Sequence, residues 1–192
     1  MTDEIHQRFD ESLAVLRGSR DHLAGRIAEA VDLIVAAYRS GRGVLVFGNG
    51  GSAADAQHIA GELVGRFLKE RRPLRAEALS ANTSILTALA NDYDFDVVFA
   101  RQIEASARPG DVAIALSTSG NSANVVAALA RARQLGCRTI ALTGDGGGRC
   151  AELADVLLDV PSKITPRIQE SHVVIYHIIC EWVEKAIADE EK

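Results

Sequence analysis

His58 and Glu62 stand four positions apart in the Ala-rich stretch that follows Gly48-Asn-Gly-Gly-Ser52. If that stretch is helical, an imidazole and a carboxylate share one face, one turn apart. Such a pair can ligate a metal or move protons. It can equally be a plain side-chain contact worth a few tenths of a kcal/mol. What precedes the pair favours chemistry. Val44 to Phe47 reads as a short buried strand. The glycines after it let the backbone turn sharply and approach a ligand closely. Ser52 occupies an N-cap position before the helix. Strand, glycine turn and helix N-terminus together offer free N–H groups and the positive end of a helix dipole to an anion. Asp55, three residues before His58, could orient the imidazole or simply favour the helix start. Arg66 could approach a substrate or form a surface ion pair.

A second stretch, Ser117-Thr118-Ser119-Gly120-Asn121-Ser122, sets four hydroxyls and a glycine between an apolar run and the next helical segment. Hydroxyls and N–H groups at a helix start suit a phosphate monoester and need no fixed positive charge. An ordinary Ser-rich loop capped by Ser122 is the plain alternative, and the density of hydroxyls directly after a buried strand favours the anion. Gly48-x-Gly50-x-x-Ala53 also fits a loose dinucleotide fingerprint. That fingerprint expects an acidic residue at the end of the next strand. The next strand candidate ends in Ser80-Ala-Asn82, with no carboxylate. No Gly-Lys-Ser/Thr follows, so this is not a Walker A loop either.

The C-terminal segment carries Gln169, His172 and His177. Five residues of helix turn the two histidines about 140° apart, so only one can face a given site. Gln169 and His177 lie about 12 Å apart along a straight helix, so shared ligation needs a bend, a long reach or two subunits.

Elements to hold these groups are readable in order. Helices are expected over 3–17 and 20–39, broken at Gly18-Ser19, with Gly41 as the stop. Strands at 44–47, 76–79, 111–116, 138–143 and 156–160 alternate with helices at 52–69, 83–91, 94–106, 122–135, 149–153 and 165–188. Pro166 is tolerated in the first turn of the last helix. Five apolar strands alternating with helices predict a parallel sheet covered on both faces, a doubly wound three-layer αβα sandwich preceded by N-terminal helices. Ligands of such folds bind beyond the C-terminal strand ends. The Gly/Ser/Asn-rich loops after the first, third and fourth strands lie there. The N-terminal helices could cover the sheet or pack against another copy of the chain.

Composition bounds the partners. The 192 residues suit one domain, and their formal net charge of −5 gives nucleic acid no electrostatic support. Lys69-Glu-Arg-Arg72 reads as a solvated helix end. Three scattered cysteines, Cys137, Cys150 and Cys180, point to reduced thiols in the cytoplasm rather than disulfides or a zinc knuckle. The acidic start, Met1-Thr-Asp-Glu4, has no apolar run behind it, so no secretory leader is expected. No stretch is long and apolar enough to span a bilayer.

Gly48-Asn-Gly-Gly-Ser52 together with Ser117-Thr-Ser-Gly-Asn-Ser122 resembles the sugar isomerase (SIS) domain of phosphosugar enzymes and regulators. The blocks Gly50 to Glu62, Ala90-Asn-Asp-Tyr93 and Arg167 to His172, with His177, narrow the resemblance to the sedoheptulose 7-phosphate isomerases, also called phosphoheptose isomerases. It runs from about residue 41 to the end and more loosely through the N-terminal helices. It implies an enzyme that interconverts D-sedoheptulose 7-phosphate and D-glycero-D-manno-heptose 7-phosphate through an enediol, the first step toward ADP- or GDP-heptose. By resemblance, Glu62 is the general base and His177 the acid. His58, Glu62, Gln169 and His177 bind zinc in some members. Ser52, Ser117, Thr118, Ser119 and Ser122 hold the phosphate end, and Gly50 and Gly51 also bind substrate. Asn49, Asn91, Asp92, Gln169 and Glu62 meet the sugar. The family forms homotetramers with active sites at subunit contacts. Its relatives include a non-catalytic adaptor that binds the replication initiator and phosphosugar sensors. That adaptor lacks the residues matching Glu62 and His177, both of which stand here.

Overall fold

The computed structural model describes residues 1–190. One long helix, α1 (Thr2–Arg39), leads into β1 (Val44–Gly48) and α2 (Gly51–Val64). Then follow β2 (Ala76–Ala78), α3 (Thr83–Asp92), a 3₁₀ turn (Phe95–Val97) and α4 (Val98–Ser106). The second half runs through β3 (Val112–Ser117), α5 (Ala123–Gln134), β4 (Arg138–Thr143), a 3₁₀ segment (Gly148–Leu153), β5 (Val156–Asp159) and α6 (Thr165–Glu190). The expected αβα sandwich is the observed one. All four strand pairings are parallel, in the order β2-β1-β3-β4-β5.

The strands are apolar on both sides because both faces of the sheet are covered. Val44, Val46, Ile114, Leu116, Ile140 and Leu142 meet α1, α2 and α6 on one face. Leu45, Phe47, Ala113, Ala115 and Ala141 meet α4 and α5 on the other, where Phe47 packs against Phe99 with ring centroids 5.6 Å apart. The chain leaves β1 toward one edge and returns to β3 on the other side of it. The topological switch point therefore falls between β1 and β3. Gly48 pairs with Leu116 in register, so the two loops that carry the candidate residues leave the sheet side by side.

The predicted break at Gly18-Ser19 is absent, and α1 is continuous. Ser19 donates its hydroxyl to the Val15 carbonyl inside the helix. Gly18 marks a close crossing instead: a Cβ there would lie 3.2 Å from Cγ of Pro161. The predicted helix over 94–106 opens as a 3₁₀ turn, with the Asp94 carboxylate accepting from the Asp96 amide. The predicted helix over 149–153 is wholly 3₁₀.

Helix α2 stops at Val64 rather than residue 69 for a physical reason. The amides of Phe67, Leu68 and Lys69 leave the helix and donate to the Glu184 carboxylate of α6, at 2.7, 2.5 and 2.8 Å. The reading of 69–72 as a solvated helix end is corrected at Arg71. Its side chain is buried, Nε lies 3.5 Å from Glu184, and the guanidinium donates to the carbonyls of Gly65, Arg72 and Glu62. Burial pushes the Glu184 carboxyl up, but the three amides and Arg71 more than offset this and hold it below its ordinary range. Replacing Glu184 by Ala strands a buried guanidinium and three amides. The variant should lose about 3–5 kcal/mol in urea unfolding; an unchanged midpoint would show that this carboxylate does not hold the loop.

Candidate active site

The phosphate-type cradle is built by close approach of three loops. At Gly48 a Cβ would come within 2.8 Å of both the Leu116 carbonyl and Ser52 Cβ, so only glycine lets β1 end against β3 and turn into α2. Gly120, at φ +65°, sits so close to Gly147 that a Cβ would overlap its carbonyl oxygen. That contact locks the loop after β3 onto the loop after β4. Asn121 ties the same loops, accepting from the Arg149 amide at 3.1 Å and donating to the Ser119 carbonyl at 2.8 Å. Across the switch point, Asn49 and Asn124 exchange two amide hydrogen bonds of 2.9 Å. Ser117 and Ser122 hydroxyls lie 3.1 Å apart. Ser52 and Ser117 are buried, Thr118 and Ser122 half-buried, and Ser119, Gly50 and Gly51 exposed. A rim of hydroxyls and helix-start amides thus faces outward from a rigid floor, which is what an anion needs.

Helices α2 and α6 run side by side from this edge. At the top, the Gln169 carboxamide lies over Gly51, where a Cβ would stand 2.6 Å from Nε2. Two turns further down, His58 Nε2 lies 3.0 Å from Glu62 Oε1 and 3.4 Å from His177 Nε2. The Tyr176 hydroxyl reaches His58 Nδ1 at 3.0 Å and Asp55 Oδ1 at 3.3 Å. Asp55 therefore meets His58 through Tyr176 rather than directly. Burial pushes the Asp55 carboxyl above its ordinary value, against the opposing pull of Tyr176 and His58. Burial, with Asp55 beside it, likewise raises the Tyr176 phenol.

His58, Glu62 and His177 form the one group of three or more His, Cys, Asp or Glu ligand atoms within 4.8 Å of each other among the described residues. Two imidazole nitrogens and a carboxylate oxygen are zinc donors. Bonds of about 2.0–2.1 Å in a tetrahedron imply ligand–ligand edges of about 3.3 Å. The 3.0 and 3.4 Å separations are close to such edges, so the donor set fits the metal. Gln169 lies nearer the start of the α2–α6 seam, over Gly51, about two helical turns from His177. Asn91 and Asp92 lie at the exposed end of α3, hydrogen-bonded to each other at 2.8 Å. Arg66 pairs with Glu70 at 3.1 Å on the surface. Asn124, Tyr176 and Glu184 escaped the sequence reading. Only Asn124, two residues past Ser122, had a visible signal.

His172 faces the opposite way, as five residues of helix require. It is fully buried, and its Nε2 donates to the Thr143 carbonyl at 3.1 Å. The three cysteines are buried free thiols.

Residues 7–144 match the SIS domain family, the class that the parallel sheet and the serine-rich loop define. The chain is 54% identical over 187 residues to a phosphoheptose isomerase of Geobacter sulfurreducens, covering 97% of this chain and 99% of that one. It is 56% identical over 187 residues to that of Rhodospirillum rubrum, with the same coverage. The solved phosphoheptose isomerase of Neisseria gonorrhoeae superposes with a TM-score of 0.91 at 41% identity, over 96% of this chain and 98% of that one. The chain belongs to the phosphoheptose isomerase family.

Burial lowers the His172 pKa from 6.5 to about 4, partly opposed by the Thr143 carbonyl. Between those values the unfolded chain binds the proton and the folded chain does not, so stability falls as pH drops. Wild type should lose stability relative to His172→Gln from pH 6.5 down to about 4. Parallel stability–pH curves for the two would contradict this.

Proposed function

We propose that the protein interconverts D-sedoheptulose 7-phosphate and D-glycero-D-manno-heptose 7-phosphate, an aldose–ketose isomerisation at the entry to ADP- or GDP-heptose synthesis. The observation that carries this reading is the meeting of Glu62 with His58 and His177, at the far end of the helix whose start borders the hydroxyl-rich rim. Membership of the phosphoheptose isomerase family supports the substrate. Ten residues, about 15 Å of helix, separate Ser52 from Glu62, and side chains lean back toward the helix start. That spacing asks for a substrate with its phosphate and its carbonyl at opposite ends of a long chain.

The phosphate end would lie at Gly50, Gly51, Ser52, Ser117, Thr118, Ser119 and Ser122, and the sugar would meet Asn49, Gln169, Asn91 and Asp92. Isomerisation moves one proton between C1 and C2 and another between their oxygens, so C1 is oxidised as C2 is reduced. Glu62 takes the carbon-bound proton and returns it to the neighbouring carbon. Its Oε1 lies 3.0 Å from His58 Nε2. His177 passes the oxygen-bound proton. Each positioned acid or base contributes roughly 10²–10⁴ in rate.

The same reading assigns one zinc ion per subunit to His58, Glu62 and His177. Gln169 is the expected fourth ligand once it leaves its place over Gly51. When bound there, zinc would supply Lewis-acid polarisation of the substrate carbonyl. A homotetramer with sites at subunit contacts is part of the proposal. Ile5, Phe9 and Leu13 lie exposed along α1, α3 buries none of its residues, and Tyr93, Phe95 and Trp182 are exposed too. Such apolar surface favours contact with further copies. A cytoplasmic location accords with the free thiols and the sugar phosphate. No helix among the described residues is long and apolar enough to cross a membrane. The initiator-binding adaptor and the sensor draw no support from the relatives.

Glu62→Gln keeps the shape of the side chain and removes its basicity. Turnover of sedoheptulose 7-phosphate should fall by at least about 10² with unfolding temperature preserved. Retained turnover would remove Glu62 from the role of base.

A further inference from the structure

Tyr176 is 2% exposed, sits beside His177 in the chain and touches three members of the site. Its ring meets His58 and His177 edge-on, at centroid distances of 5.3 and 4.9 Å. Its hydroxyl lies between Asp55 Oδ1 at 3.3 Å and His58 Nδ1 at 3.0 Å. A phenol has one proton to give, and a carboxylate only accepts. The phenol proton therefore goes to Asp55, and the phenol oxygen accepts from Nδ1–H of His58. With its proton on Nδ1, a neutral His58 carries its lone pair on Nε2. That nitrogen is the one that faces Glu62 and His177.

We infer that Tyr176, backed by Asp55, is a positioning residue that fixes the ring angle and tautomer of His58, presenting Nε2 as a ready ligand and hydrogen-bond acceptor. The inference rests on the zinc reading for its function and on the hydrogen-bond chain alone for its geometry. Partners that hold a ligating histidine in this way typically contribute 10–100-fold in metal affinity. Glu62 Oε1 is itself an acceptor 3.0 Å from Nε2, and on the inferred tautomer that nitrogen offers it a lone pair rather than a proton. Two acceptors at that distance can share a bound cation, and the Tyr176 hydroxyl, through Nδ1, is what keeps Nε2 one of them.

Tyr176→Phe tests this because it keeps the ring edge-on to both histidines and deletes only the hydroxyl. Two measurements are made on full-length protein. Zinc affinity is read by competition with a chromophoric chelator. The His58 tautomer is read by ¹⁵N NMR of metal-free protein at alkaline pH, where the ring is neutral. The inference expects zinc affinity to fall about 10–100-fold in the variant. It also expects wild-type His58 to hold its proton on Nδ1 and the variant to lose that preference, at an unchanged unfolding temperature. Wild-type affinity and tautomer in Tyr176→Phe would overturn it. If wild type binds no zinc yet shows the Nδ1–H tautomer and the variant does not, the metal reading fails while the positioning role stands.

Discussion

The seam between α2 and α6 is the contact on which the site depends. The two helices start at the same edge of the sheet and touch at two heights, and a third tie joins α6 to the chain just past the end of α2. Gln169 lies over Gly51 at the top, Tyr176 and His177 meet Asp55 and His58 in the middle, and Glu184 gathers the amides of residues 67–69 at the bottom. The residue offset across the seam is nearly constant, which is what parallel neighbours of equal rise produce. Small side chains at the top let the helices approach. A buried carboxylate with three amides and a guanidinium closes the bottom. Between these fixed ends, His58, Glu62 and His177 meet at a partly open surface of the seam.

The division of labour along α2 follows from helix physics. Its first turn carries free N–H groups and the positive dipole end, which suit a phosphate. Its last turns carry side chains only, because their amides are used within the helix, and there the proton-moving groups stand. The two functions are one helix apart, and the sheet's switch point supplies the hydroxyl loop beside the first. The Asn49–Asn124 pair and the Gly120–Gly147 contact make that floor rigid without charged groups.

Most of the architecture was legible because strand and loop chemistry are local. β4 came out at its predicted bounds, and the glycine turn and serine loop fell at the C-terminal strand ends. Where the reading failed, a distant partner had overridden local preference. Gly18 looked like a helix break because glycine weakens helices, yet here it makes room for Pro161. Residues 65–69 looked helical, but Glu184, more than a hundred positions away, takes the amides of 67–69. Arg71 looked solvated for the same reason, since nothing in a short basic run announces a buried carboxylate opposite. Tyr176 was hidden beside the histidine that the family resemblance had selected, and only the three-dimensional contact with Asp55 and His58 gives it meaning.

The measurement that bears most directly on this account is aldose formation from sedoheptulose 7-phosphate by the purified protein, before and after chelation and with zinc added back. The account predicts D-glycero-D-manno-heptose 7-phosphate as product, its loss on chelation and its return with zinc. Failure to form the aldose in zinc-replete protein would contradict the isomerase. Turnover indifferent to chelation would contradict the metal while leaving Glu62 and His177 to carry the protons.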